Sequence, residues 1–163
     1  MKRIFPLIVA MIFTVVFTSC GKKVLFEESR TFSNDTWLRF QPEHFDVQSV
    51  STDNCYNFFV TLTIDTARYR ENALPIIMEL ESPDHENRTL FSTILLRNRE
   101  GAWLGSFNDN GNLVISQQVR QFHFFNTTGK YSLNLGQRTN KYEIHGIRQL
   151  DLRIEKTELE YPE

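Results

Sequence analysis

Apolar and polar residues alternate with period two along much of the chain. The clearest run is Cys55 to Asp65, where Tyr56, Phe58, Val60, Leu62 and Ile64 alternate with Asn57, Phe59, Thr61 and Thr63. A strand sends successive side chains to opposite faces, and β-branched and aromatic residues suit a half-buried pleated surface. The same pattern predicts a strand from Pro75 through Glu81 with Ile76, Met78 and Leu80 on one face, closed by the turn Ser82-Pro83-Asp84. Thr89 to Arg97 reads as a strand with Leu90, Ser92, Ile94 and Leu96 on one face, and Gly129 to Leu135 alternates again. Gly146 to Glu155 follows, with Leu150, Leu152 and Ile154 together. Leu113 to Phe125 predicts one bent strand or two, and Asn110-Gly111 before it is a tight-hairpin signal. Val24 to Phe32 and His44 to Val50 carry weaker versions of the pattern. No apolar period of 3.6 residues persists over three turns, although Asn72 to Leu80 could hold a short helical turn broken by Pro75. Seven or eight short strands separated by turns predict an all-β fold, a single antiparallel β-sandwich of immunoglobulin-like or jelly-roll-like type over residues 24–156.

The first residues break this pattern. Lys2 and Arg3 precede an apolar run of 14 positions, Ile4 to Phe17, interrupted by Pro6 and Thr14. The run is shorter than the roughly 20 residues a membrane-spanning helix needs and has the form of a secretion signal. Phe17-Thr18-Ser19-Cys20 looks like a bacterial lipobox, in which small residues precede a Cys that becomes the acylated first residue. Residues 1–19 are therefore expected to be a lipoprotein signal helix, Cys20 the lipidation site, and residues 20–23 a short tether to the membrane. Acyl chains contribute about 0.8 kcal/mol per buried methylene, so two or more hold a protein on a bilayer. The acidic stretch 157–163 reads as a frayed tail.

Composition and charge narrow the function. Hydrophobic residues make up 40% and charged residues 23% of 163 residues, which suits a packed body rather than disorder. The net charge is −2, and loss of Lys2 and Arg3 leaves 16 basic against 20 acidic residues, which argues against a nucleic-acid partner. With Cys20 acylated, Cys55 lacks an intramolecular partner and reads as a small buried hydrophobe. His44, His85, His123 and His145 lack metal-ligand spacing, and His123, among Phe122, Phe124 and Phe125, is expected at a strand surface. The Asn108-to-Asn112 loop fails as a calcium loop, because the positions that need carboxylates are Ser106 and Gln117. No nucleophile elbow, phosphate loop or dinucleotide fingerprint occurs, so the sequence predicts no catalytic residue, metal or cofactor. Trp37 and Trp103 are the candidate partner or ligand surface, and exposed indoles there would favour a glycan-binding alternative. Asp65-Thr66-Ala67 resembles an O-glycosylation sequon of Bacteroidetes envelope proteins, which makes Thr66 a candidate modification site.

Four segments in order carry a wider resemblance. They are Phe26-Glu27-Glu28 soon after the lipobox, Leu74 to Leu80, Gly101-Ala102-Trp103-Leu104-Gly105, and Gly146 to Lys156. Together they resemble the gliding-motility lipoprotein family called GldH, from the Bacteroidetes, over about residues 20–156. Arg99-Glu100 and Leu135-Gly136-Gln137-Arg138 depart from the family's usual residues. The resemblance implies a non-enzymatic envelope lipoprotein, associated with gliding machinery linked to type IX secretion, with an envelope protein complex as partner. It supplies no catalytic residues. Lys22 and Lys23 beside the anchor favour an outer-membrane position facing the periplasm.

Overall fold

The computed structural model describes residues 24–157; the signal segment, Cys20, the tether and residues 158–163 lie outside the described residues. Eleven strands follow in order: β1 Val24–Thr31, β2 Thr36–Leu38, β3 Glu43–Val50, β4 Cys55–Ile64, β5 Ala73–Glu81, β6 Asn87–Leu95, β7 Ser106–Phe107, β8 Leu113–Phe124, β9 Gly129–Gln137, β10 Glu143–His145 and β11 Ile147–Thr157. A 3-10 turn at Ser33–Asp35 is the one helical element among the described residues, where no helix is long and apolar enough to cross a membrane. The strands form a five-stranded sheet in the order β1-β11-β4-β8-β7, a four-stranded sheet β3-β9-β5-β6 and a small pair β10-β2. Every pairing is antiparallel. The fold is the expected all-β sandwich.

The core lies between the two large sheets and follows from the alternation. Tyr56, Phe58, Val60, Leu62 and Ile64 of β4 are all buried, as are Leu150, Leu152 and Ile154 of β11. Ile76, Met78 and Leu80 of β5 and Leu133 and Leu135 of β9 face them from the other sheet. Each fully buried aliphatic or aromatic side chain contributes about 1.5–3 kcal/mol relative to exposure.

The two sides of the sandwich are each bridged by one side chain. Between β1 and β3, Arg30 donates to the His44 carbonyl at 2.6 Å and lies 4.5 Å over the Phe45 ring. Between β8 and β6, Gln117 Nε2 donates to the Thr93 carbonyl at 3.1 Å, and Gln117 Oε1 accepts the Leu95 N–H at 2.9 Å. The Gln117 amide thus pairs with β6 as a backbone unit would.

The structure decides between alternatives the sequence left open and departs from it elsewhere. Leu113 to Phe124 is one strand, bent by two bulges against β4: it uses Gln118 to His123 where β4 uses only Phe59 to Tyr56. Asn72 to Leu80 contains no helical turn, and Pro75 sits inside β5. Its carbonyl accepts Arg138 N–H at 2.8 Å, one residue beyond the end of β9, so its nitrogen faces the side where no strand asks for a donor. The last strand runs on past Glu155 to Thr157, the first residue of the stretch expected to fray, and Glu155 is buried against Arg153 at 3.2 Å.

A candidate docking face

The outer faces of the two sheets differ in chemistry. On the five-stranded sheet, Ser29, Asp151, Thr61 and Ser116 stand in one row across β1, β11, β4 and β8, with Thr61 bonded to Ser116 at 2.8 Å. On the four-stranded sheet, Gly136, Ile77 and Phe91 stand in one row across β9, β5 and β6. Pro42, just before β3, extends this row, lying 3.6 Å from where a Gly136 Cβ would stand. Arg39, Phe40 and Arg138 border the same groove, a shallow depression of about 350 Å³.

Aromatic rings stand proud of this face. Phe40 is 73% exposed, Tyr142 63% and Phe91 61%. Phe40 and Tyr142 meet at 6.2 Å, while Arg39 lies 5.5 Å from the Phe40 ring and Arg138 4.7 Å from the Phe91 ring. Aromatic residues and Arg are the types that dominate protein interfaces, because they bury much area at little entropy cost and keep a polar handle. Gly136 keeps the groove open: a Cβ there would stand 3.2 Å from Ile77 Cγ2. Polar side chains frame one margin, with His44 2.9 Å from Asn134 and Lys130 2.9 Å from Asp46. Lys130 holds the Asp46 carboxyl below its ordinary range, so it stays charged.

The sequence-predicted site residues fall elsewhere. Trp37, a candidate for a partner or ligand surface, is only 1% exposed and stacks on Phe32 at 5.0 Å in the core. Its short strand β2 is covered when β10 pairs with it, placing Trp37 opposite Ile144. Trp103 is half-buried, and the Arg97 guanidinium sits 3.4 Å from its ring centre. One indole therefore offers no surface, and one face of the other is occupied, so the two do not form a stacking platform. Thr66 lies half-buried in the turn after β4, where Asp65 accepts the Ala67 N–H at 3.0 Å and meets Arg148 at 3.3 Å. These contacts, the Ala67 hydrogen bond first, hold the Asp65 carboxyl below its ordinary value.

His123 is also placed differently: it is buried, not at a strand surface. It packs 5.2 Å from Phe58 and 4.7 Å from Phe125, and burial pushes its pKa down to about 4, with Arg120 and Arg88 adding to the shift. Leu113 and Ile115 point inward, and every second residue after them leads through Val119 to His123; that parity was the available signal. Cys55 is buried as expected, and desolvation raises its thiol pKa. Among the described residues, no three His, Cys, Asp or Glu side chains are grouped to hold a metal ion.

The protein is an antiparallel β-sandwich whose four-stranded sheet carries the exposed Phe91 ring under Arg138. The family of GldH lipoproteins matches residues 24–154, and the chain belongs to that family. The chain is also similar to a protein of Christiangramia forsetii described as a gliding motility lipoprotein GldH homolog. The two are 24% identical over 170 residues, covering 97% of this chain and 99% of that relative.

Two glycines within the segments that carried the resemblance sit at close backbone approaches. Gly105 approaches β8 so closely that a Cβ would lie 2.3 Å from the Val114 carbonyl oxygen. Gly146, at φ +94°, would place a Cβ 2.8 Å from both Asp65 O and Tyr69 N.

Proposed function

We propose that this chain is a non-enzymatic envelope lipoprotein, anchored through Cys20, that docks on a protein complex of the gliding and type IX secretion-associated machinery. The observation that carries the reading is the set of exposed rings Phe40, Phe91 and Tyr142 around the shallow groove floored by half-buried Ile77 and buried Gly136. A surface of that composition is best satisfied by a protein partner. Family membership and the relative's printed description support the gliding context. The mechanism is tethering: an anchor raises the local concentration of a weakly binding body near its partner. Lys22 and Lys23 support a position at the periplasmic side of the outer membrane.

Two measurements test this. Cys20→Ala should release a folded protein from the membrane fraction. Affinity capture of the acylated protein from membranes should recover gliding or secretion components. Quantitative retention of Cys20→Ala on membranes would remove the anchor. Recovery of polysaccharide alone would replace the protein partner with a glycan.

A further inference from the structure

The membrane-facing end of the body can be read from where the chain leaves it. Val24 opens β1 opposite Glu155, Thr157 closes β11 opposite Cys55, and Cys55 stands opposite Phe124 of β8. Val24 and Phe124 therefore lie at one end of the five-stranded sheet, three strand spacings apart, or about 14 Å. Cys20 is four residues before Val24, a reach of at most about 14 Å. An acyl chain on Cys20 would bring this end, and no other, against the bilayer.

That end carries two aromatic side chains that the core does not use. Phe122 is 50% exposed and Phe124 45% exposed, while His123 between them points inward. Phe122 has φ +47°, a strained conformation for a bulky side chain. It sits inside the second bulge of β8, between Arg120 and His123, and its N–H donates to Asn57 Oδ1 at 3.0 Å. An exposed Phe held under strain gains no burial in return, so the strain points to a surface role. Arg120 precedes it in β8 and Lys156 lies two strands away in register, Arg88 and Glu86 line a depression with Phe124, and Glu155 pairs with Arg153 while Asp84 bonds Ser82 and Thr127.

We infer that Phe122 and Phe124 insert into the lipid interface and seat the sandwich end-on upon the bilayer that holds Cys20. The inference rests on the lipid anchor proposed above. It goes further, since it fixes the orientation of the body and leaves Phe40 and Tyr142 directed away from the lipid. Phe40 precedes β3, whose first residue pairs near the far end of β9.

The test uses full-length, acylated protein in phosphatidylethanolamine–phosphatidylglycerol vesicles with brominated acyl chains. Flotation first reads anchoring. In vesicle-bound protein, the indole of Phe122→Trp should be quenched beyond the parent's own tryptophan signal, and that of Phe40→Trp should not. Equal quenching of the two variants overturns the inference. Shielding of the indole at 122 from acrylamide without bromolipid quenching would place a protein there instead and also overturns it. A chain that fails to float overturns the anchor itself, a separate result. Phe122→Asn provides a second arm, because Asn adopts positive φ more readily. It should retain or raise the unfolding midpoint while the non-acylated Cys20→Ala form loses residual vesicle affinity. A lowered midpoint would assign Phe122 to packing and overturn the lipid role.

Discussion

At the scale of single residues, two positions turn local geometry into measurable stability. Gly146 has both a positive φ and no room for a Cβ, whereas Gly111, at φ +72°, has open space around it. An Ala at either position meets the backbone penalty of about 1–2 kcal/mol for a left-handed conformation. Gly146→Ala must in addition push back the Asp65 and Tyr69 backbone, so its loss in thermal unfolding should clearly exceed that of Gly111→Ala. Equal losses would mean that the close approach is relaxed without cost. His123 makes stability depend on pH. Its folded pKa of about 4 lies below the ordinary 6.5, so between these values the unfolded chain takes up a proton that the folded one refuses. The contribution is fully present above pH 6.5 and is lost as pH falls towards 4, by up to about 3 kcal/mol. Asp46, Asp65 and Asp84, whose pKa values are lowered, act in a separate window below their ordinary value of 3.8. Urea midpoints at pH 7 and pH 4.5 should therefore converge in His123→Leu relative to the parent. An unchanged pH slope in that variant would place the dependence on other groups.

At the scale of elements, long strands were legible in the sequence and short ones were not. β4, β5 and β11 each carry three or more apolar residues in strict alternation, enough to state both strand and inward face. β2 and β10 have three residues each, too few for any period; they exist because they pair with each other over the core, and Trp37 is buried by that pairing. The candidate docking face was hidden for a related reason. Alternation says that Ile77 and Phe91 oppose a buried row, but only the register between strands far apart in sequence aligns them with Gly136 and Pro42. His123, expected at a strand surface, instead shares the inward parity of Leu113 and Ile115 and of buried Phe125, while Phe122 and Phe124 face out. Edges also belong to this scale. Gln117 supplies β6 with both halves of an amide partner, so Gln117→Ala should cost about 1 kcal/mol. The sharper readout is hydrogen exchange: the Leu95 amide, held at 2.9 Å in the parent, should lose its protection while amides of β4 keep theirs. Unaltered exchange at Leu95 would show that the bridge is not formed in solution.

At the scale of the whole molecule, the proposed docking face lies outside the packing that holds the fold together. The core between the sheets is closed by β4, β11, β5 and β9, and nothing in that closure needs the rings of Phe40 or Phe91, which project into solvent. Surface substitutions away from caps, strain and buried networks usually change stability by no more than about 0.5 kcal/mol. The cation–π contacts of Arg39 and Arg138 add about 0.5–1 kcal/mol each at exposed sites, so their loss is also modest. A Phe40→Ser/Phe91→Ser variant should therefore unfold within about 2 kcal/mol of the parent. If the face is the docking surface, the same variant should lose most of its co-purifying envelope proteins, because truncating buried anchor residues at an interface typically costs 2 kcal/mol or more, roughly a thirtyfold loss of affinity. Substitutions on the opposite sheet, such as Thr61→Ala and Ser116→Ala, should leave capture intact. Capture that survives the aromatic variant but fails with the polar one would move the interface to the five-stranded sheet.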